Sequence, residues 1–184
     1  ELVGVPGEEG DVEVLAIAAS VLRAVGLEEF VIDLGDAGVV RALLEGVPAE
    51  LASPIVDAIG RKDAIEIADR MREAGRDPAL LLEVLATKTL EEGAALLEKT
   101  AAAPAAARLR ALHAAAVSRG LGAHVTADLG EIRSAAYYTG MLFRAYARGS
   151  ADAIGSGGRY DDLLARFGAP MPAVGFGLDL DALA

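Results

Sequence analysis

The stretch from Tyr137 to Gly177 constrains this chain more than any other. It reads YYTGMLFRAYA, then a short polar turn, IGSGGRYDDLLARFG, and finally PAVGFG. Met141, Phe143, Ala145 and Ala147 alternate with Leu142, Arg144 and Tyr146. That period of two predicts a strand whose two faces meet different environments. Tyr137 and Tyr138, adjacent on extended backbone, point to opposite faces. One can then pack inside while the other lines a pocket with its hydroxyl. Gly155, Gly157 and Gly158 surround Ser156 and permit close backbone approach. Arg159-Tyr160-Asp161-Asp162 follows and opens an amphipathic segment with Leu163, Leu164 and Phe167. Read locally, this is a glycine-rich turn entering a helix, whose free N–H groups suit an anion. Gly175 and Gly177 flank Phe176 in a short apolar strand, where glycine marks room for a ligand. GSGGRY does not fit GxGxxG, and GKS and GKT are absent, so no dinucleotide or P-loop fingerprint is present. A glycine-rich turn alone is usually only a turn. The order YYTG, strand, SGGRYD, VGFG is what gives it weight.

The rest of the chain reads as support. Glu1 to Val5 and Phe30 to Leu34 read as strands, as do 123–128, 141–147 and 172–177. Asp11 is placed to cap a helix in which Val14, Ala18, Val21, Leu22 and Val25 form an apolar stripe ended by Gly26. Residues 47–119 read as four or five short helices. Ser53-Pro54 and Asp77-Pro78 mark two starts, Thr89-Leu90-Glu91-Glu92 a capping box, and alanine-rich sequence favours helix on both sides of Pro104. Ile65, Ala68 and Met71 give one apolar face, and Leu81, Leu82 and Leu85 another. The chain has 184 residues, 53% of them hydrophobic and 4% aromatic, which predicts one domain with an aliphatic core. There is no cysteine, and neither His113 nor His124 has partners at metal-ligand spacing, so no metal is expected. Asp128 and Glu131 could form a catalytic carboxylate pair, but read better as loop charges. Seventeen basic against 28 acidic residues give a net charge of −11 with no basic run, which argues against a nucleic-acid partner. No apolar run is long enough to span a membrane and no signal-peptide pattern is seen, so the expected location is the cytoplasm.

The runs IRSAAYYTG, SGGRYDDLLARFG and PAVGFGLDLDAL resemble the C-terminal half of the class II catalytic core of histidyl-tRNA synthetases. They resemble still more closely a paralogous family, the regulatory subunits of ATP phosphoribosyltransferase in histidine biosynthesis. The opening ELVGV and the helix DVEVLAIAASVLRAVGL are similar to the same families, while roughly 45–110 carries no matching motif. The resemblance implies an α+β fold: a class II aminoacyl-tRNA synthetase-like antiparallel sheet backed by helices, with a helical insertion at about 47–119. Residues 1–184 would form a single core domain, a fragment of a longer protein. Carried over residue by residue, Glu1, Arg133 and Tyr138 would bind histidine through charge and hydroxyl contacts, and Tyr137 would pack inside. Gly157, Gly158, Arg159 and Tyr160 would shape the floor of the histidine pocket by backbone and ring.

Three departures bear on function. Arg133-Ser134-Ala135-Ala136 stands where synthetases have Arg-Gly-Leu-Asp, Ser156-Gly157-Gly158 replaces a triple glycine, and Ala182 occupies the place of an arginine that holds ATP. Alanine cannot make a charge-assisted phosphate contact. The resemblance therefore implies a regulatory subunit that binds histidine, uses no cofactor and catalyses nothing by itself. Its partner would be the short-form ATP phosphoribosyltransferase catalytic subunit, in an assembly that includes homo-oligomers. Two alternatives stay open: a histidyl-tRNA synthetase core fragment acting on histidine, ATP and tRNA, and a free-standing synthetase-like domain that binds a small molecule for another purpose.

Overall fold

The computed structural model describes residues 1–131, 137–150 and 152–183. Its elements in order are β1 (Leu2–Val3), α1 (Glu8–Ala24), β2 (Phe30–Asp36), α2 (Ala37–Leu43), α3 (Ala49–Gly60), α4 (Ala64–Glu73), α5 (Ala79–Ala86), α6 (Leu90–Leu97), α7 (Ala103–Ala116), β3 (Val125–Ala127), β4 (Met141–Ala147), β5 (Gly155–Arg159) and β6 (Ala173–Leu178). Five helices lie between 47 and 119, as the punctuation predicts. Thr89 and Glu92 close the capping box, with Glu92 N donating to Thr89 Oγ1 and Thr89 N donating to Glu92 Oε2, both at 3.2 Å.

Other boundaries move. The helix α1 starts at Glu8, so Asp11 is buried inside it instead of capping it, and Val25 lies exposed past its end. Pro54 falls within α3, because the N–H groups of Leu51 and Ala52 already fold back onto the Pro48 carbonyl. Pro104 sits in the first turn of α7, where its missing N–H costs nothing, and no helix precedes it directly. On α4 the buried residues are Ile67, Ala68 and Met71, while Ile65 is 77% exposed.

The six strands form one sheet in the order β1-β6-β5-β4-β2-β3. All neighbours are antiparallel except β2 and β3, which run parallel, so the expected antiparallel sheet is mixed at this edge. The connection from β2 to β3 is the whole helical middle, long enough to return the chain in the same direction. Helices α1 and α7 pack on one face of the sheet around Leu15, Leu22, Ile32, Leu34, Leu109 and Phe143. Helices α3, α4 and α5 build a second, smaller core from Ile55, Ile59, Ile67, Met71 and Leu81, to which Val40 of α2 and Leu44 just past its end are added. The helical middle is thus divided: α7 belongs to the sheet, α3 and α4 to the annex, and α5 to both, with Val84 in the first core and Leu81 in the second.

The GSGGR run is a central strand, not a turn, and one 3₁₀ turn at Leu164–Phe167 replaces the expected amphipathic helix, leaving Phe167 79% exposed. The reason is crowding. In register, Gly157 lies between Phe143 of β4 and Phe176 of β6. A Cβ there would run into the Gly175 carbonyl and stand 2.7 Å from both Phe143 and Phe176. A Cβ on Gly177 would meet nothing within 4 Å. Gly157→Ala is therefore expected to lower stability by about 1–3 kcal/mol through overpacking. Gly177→Ala should change it by no more than about 0.5 kcal/mol. Urea denaturation of both variants checks the contrast.

Candidate functional site

The helices cover one face of the sheet; the other carries the site. Along β5 the missing side chain of Gly157 points toward Phe143 and the core, while that of Gly158 points toward Tyr138. On the open side lies a hollow of about 860 Å³, lined among others by Glu1, Tyr137, Tyr138, Ser156, Tyr160 and Asp179. Glycines make its floor. A Cβ on Gly158 would stand 2.6 Å from the Tyr138 ring, and one on Gly175 would collide with the Glu1 carboxylate and stand 2.8 Å from the Tyr160 hydroxyl. The carboxylate of Glu1 and the hydroxyl of Tyr160 therefore converge over the bare Cα of Gly175. The close approach that the sequence assigns to glycine is real here.

Three tyrosine rings form one wall. The Tyr137 and Tyr138 centroids are 4.6 Å apart, and Tyr160 meets them edge-on at 6.0 and 6.4 Å. Tyr137 and Tyr138 thus share a side instead of facing opposite ways, and it is Tyr138 that is buried (6% exposed) while Tyr137 is 38% exposed. Both precede β4, where the backbone turns, so strand alternation does not govern them. Arg41 Nη2 donates to the Tyr138 carbonyl at 2.6 Å and fixes this segment from α2.

The hollow's charges are acidic. Glu1 and Asp179 line it, and its described lining includes no Lys, Arg or His. Such a cavity suits a ligand with a cationic or donor end, set between aromatic faces and hydroxyls. Beside it on the same face, Arg144 makes a two-pronged pair with Glu131 at 2.6 and 2.7 Å. Asp33, opposite Arg144, accepts from Thr126 Oγ1 at 3.0 Å. Burial raises the carboxyls of both Glu131 and Asp33 above their usual range. Asp128 turns elsewhere, accepting from Gly130 N at 2.7 Å and pairing with Lys62 at 3.4 Å. Glu131 and Asp128 are accordingly separate ion-pair partners, not a carboxylate couple.

Of the expected site residues, Glu1, Tyr138, Gly157 and Tyr160 line the hollow and Gly158 underlies Tyr138. Arg159 does not join them. Its side chain passes to the helix face, where it is buried and Nε donates to Asp11 Oδ1 at 2.7 Å. Arg133 lies outside the described residues. Sequence reasoning missed Asp179, although it continues the period of two from Gly175 and Gly177 onto the same face. It also missed Asp11 as a buried partner; a lone acid in the stripe of Val14 and Ala18 was the available signal. Among the described residues there is no cluster of three or more potential metal ligands, and no helix is long and apolar enough to cross a membrane.

Comparison with known proteins follows this geometry. The family model for histidyl-tRNA synthetase matches residues 1–183. The chain is 42% identical over 192 residues to the ATP phosphoribosyltransferase regulatory subunit of Variovorax paradoxus, covering 100% of this chain and 50% of that protein. It is 36% identical over 189 residues to the subunit of the same name from Syntrophotalea carbinolica, covering 98% and 44%. The crystal structure of an ATP phosphoribosyltransferase regulatory subunit/histidyl-tRNA synthetase from Bacillus halodurans matches with a TM-score of 0.87 at 29% identity, covering 99% of this chain and 50% of that one. The chain spans about half the length of the curated relatives it matches.

The buried acid behind the site has a measurable signature. Burial pushes the Asp11 carboxyl from 3.8 up to about 6, against the lowering pull of Arg159. The unfolded chain releases this proton at the lower value and the folded chain at the higher, so between them the folded state holds more protons. The resulting stabilisation is complete below 3.8 and is lost as pH rises through about 6. Relative to Asp11→Asn, the wild-type chain is expected to lose stability as pH rises from about 4 to about 6 and to show no further change above about 7. Denaturant midpoints of both proteins across that range check the sign.

Proposed function

Because the chain belongs to the histidyl-tRNA synthetase family, we propose that it supplies the histidine-sensing core of an ATP phosphoribosyltransferase regulatory subunit and performs no catalysis of its own. The observation that carries this reading is the hollow on the open sheet face, where Glu1, Tyr138 and Tyr160 gather over Gly158 and Gly175. An imidazole or ammonium group placed there would have the Glu1 carboxylate as its acceptor and the tyrosine rings as its walls. Tyr160 would add a hydroxyl contact. Arg133 would meet the ligand's carboxylate, a group that the two acids of the described lining repel.

The nucleotide side supports the same reading. At the place of the synthetases' ATP-holding arginine, Ala182 is an exposed residue in the turn after β6, its N–H donating to Asp179 Oδ1 at 3.3 Å. It offers a triphosphate no charge-assisted contact. The names of the curated relatives point to the same role. In this proposal the chain works in the cytoplasm, in an oligomer with the short-form catalytic subunit, and histidine passes feedback to that enzyme. Such coupling requires histidine to bind one assembly state more tightly than the other.

Calorimetry with histidine and then ATP tests the proposal, followed by sedimentation with a short-form catalytic subunit. Histidine is expected to bind, ATP not to bind, and the two proteins to co-sediment. Gly175→Ala places a methyl where the Glu1 carboxylate lies, and should weaken histidine at least tenfold, about 1.4 kcal/mol. Binding of ATP with formation of histidyl-adenylate would overturn the proposal in favour of a synthetase core.

A further inference from the structure

Arg159 is the best-connected side chain of the described structure, and it lies behind the hollow. The guanidinium has 6% of its side chain exposed. Its Nε donates to Asp11 Oδ1 at 2.7 Å, Nη1 to Asp161 Oδ1 at 2.9 Å and to the Val5 carbonyl at 3.3 Å, and Nη2 to the Gly7 carbonyl at 2.8 Å. The backbone carbonyl of Arg159 accepts from Thr139 N at 2.8 Å. Asp161 extends the web: its N–H donates to Thr139 Oγ1 at 3.0 Å, and its Oδ1 accepts from Ala173 N at 3.2 Å.

Each of these anchors is joined through the backbone to a wall of the hollow. Val5 and Gly7 tether the segment that follows Glu1 and β1. Thr139 directly follows Tyr137 and Tyr138. Tyr160 lies between Arg159 and Asp161, and Ala173 itself lines the cavity. Val5 and Gly7 meet the guanidinium directly, while Thr139 and Ala173 join through the Arg159 carbonyl and Asp161, so four wall segments distant in sequence share one web on the other side of the sheet. The planar fork of arginine reaches several acceptors at once in fixed directions, which a lysine ammonium cannot do.

From this web we propose that Arg159 is a positioning residue: without touching a ligand, it sets the spacing between Glu1, the Tyr137–Tyr138 pair and Tyr160. The role rests on the histidine reading only for the identity of the ligand. It predicts that loss of the fork loosens the hollow while the sheet stays folded.

Two measurements test it on the full chain. The protein has four tyrosines, of which Tyr146 alone lies outside the lining of the hollow. In a 3-fluorotyrosine-labelled chain, Arg159→Met should shift or broaden the fluorine resonances of Tyr137, Tyr138 and Tyr160 and leave that of Tyr146 in place. Histidine titration should show affinity falling about tenfold or more in Arg159→Met, with partial recovery in Arg159→Lys. Asp161→Asn, a milder cut in the same web, gives the same pattern in weaker form and serves if Arg159→Met does not fold. Ile67→Ala, which opens the annex core, controls for lost stability and should leave both readouts unchanged. Unshifted hollow tyrosines in folded Arg159→Met or Asp161→Asn overturn the proposal, as does an equal response in Ile67→Ala. If the wild type does not bind histidine, the histidine reading fails, and the fluorine spectra still decide the role of Arg159.

Discussion

A guanidinium sealed between a sheet and a helix is the constraint on which this structure turns. Burying a cation is costly unless its donors are met. Arg159 meets that cost with Asp11, Asp161 and two main-chain carbonyls. Removing one partner from a buried pair of this kind typically costs about 3–5 kcal/mol, because the other charge is stranded. The arrangement reaches across most of the chain, from α1 to the end of β5. What it gains is registration: β1, the segment before β4 and the start of β6 share one reference point.

The two faces of the sheet divide the work. Toward the helices the side chains are aliphatic and closely packed, with Ile32, Leu34 and Phe143 fully buried. Toward the open side most strand positions near the hollow are small or polar, and the glycines of β5 and β6 let Tyr138, Tyr160 and Glu1 lie directly on the backbone. Further along that face Arg144 and Glu131 neutralise each other, and Glu131 lies over Gly35. The sheet packs one side to hold itself and leaves the other open to the hollow.

The legible parts of the sequence were those where local pattern and tertiary environment agree. The alternation in MLFRAYA is β4, FVIDL lies within β2, and the capping box at Thr89 starts α6 as read. Glycine was the main source of error. Its residues carry no pattern, so GSGGR looks like a turn until its neighbours are known, and only Phe143 and Phe176 on either side explain the strand. Tyr137 and Tyr138 were assigned by a rule for extended chain to a segment that bends. The family resemblance offered Arg159 for the pocket floor, whereas its side chain runs to the helix face. Its partners Asp11 and Asp161 are 148 and two residues away, and the distant one left only a single acid within an apolar stripe as a clue.

The second core under α3, α4 and α5 has a consequence for motion. It is tied to the sheet through α2 and α5, whose Val39 and Val84 lie in the main core, and through Leu43, which packs against both. Segments with their own small apolar nucleus open as units at lower free energy than the body they adjoin. The annex forms such a unit, and its amides should trade hydrogen with solvent ahead of those in β4 and β5.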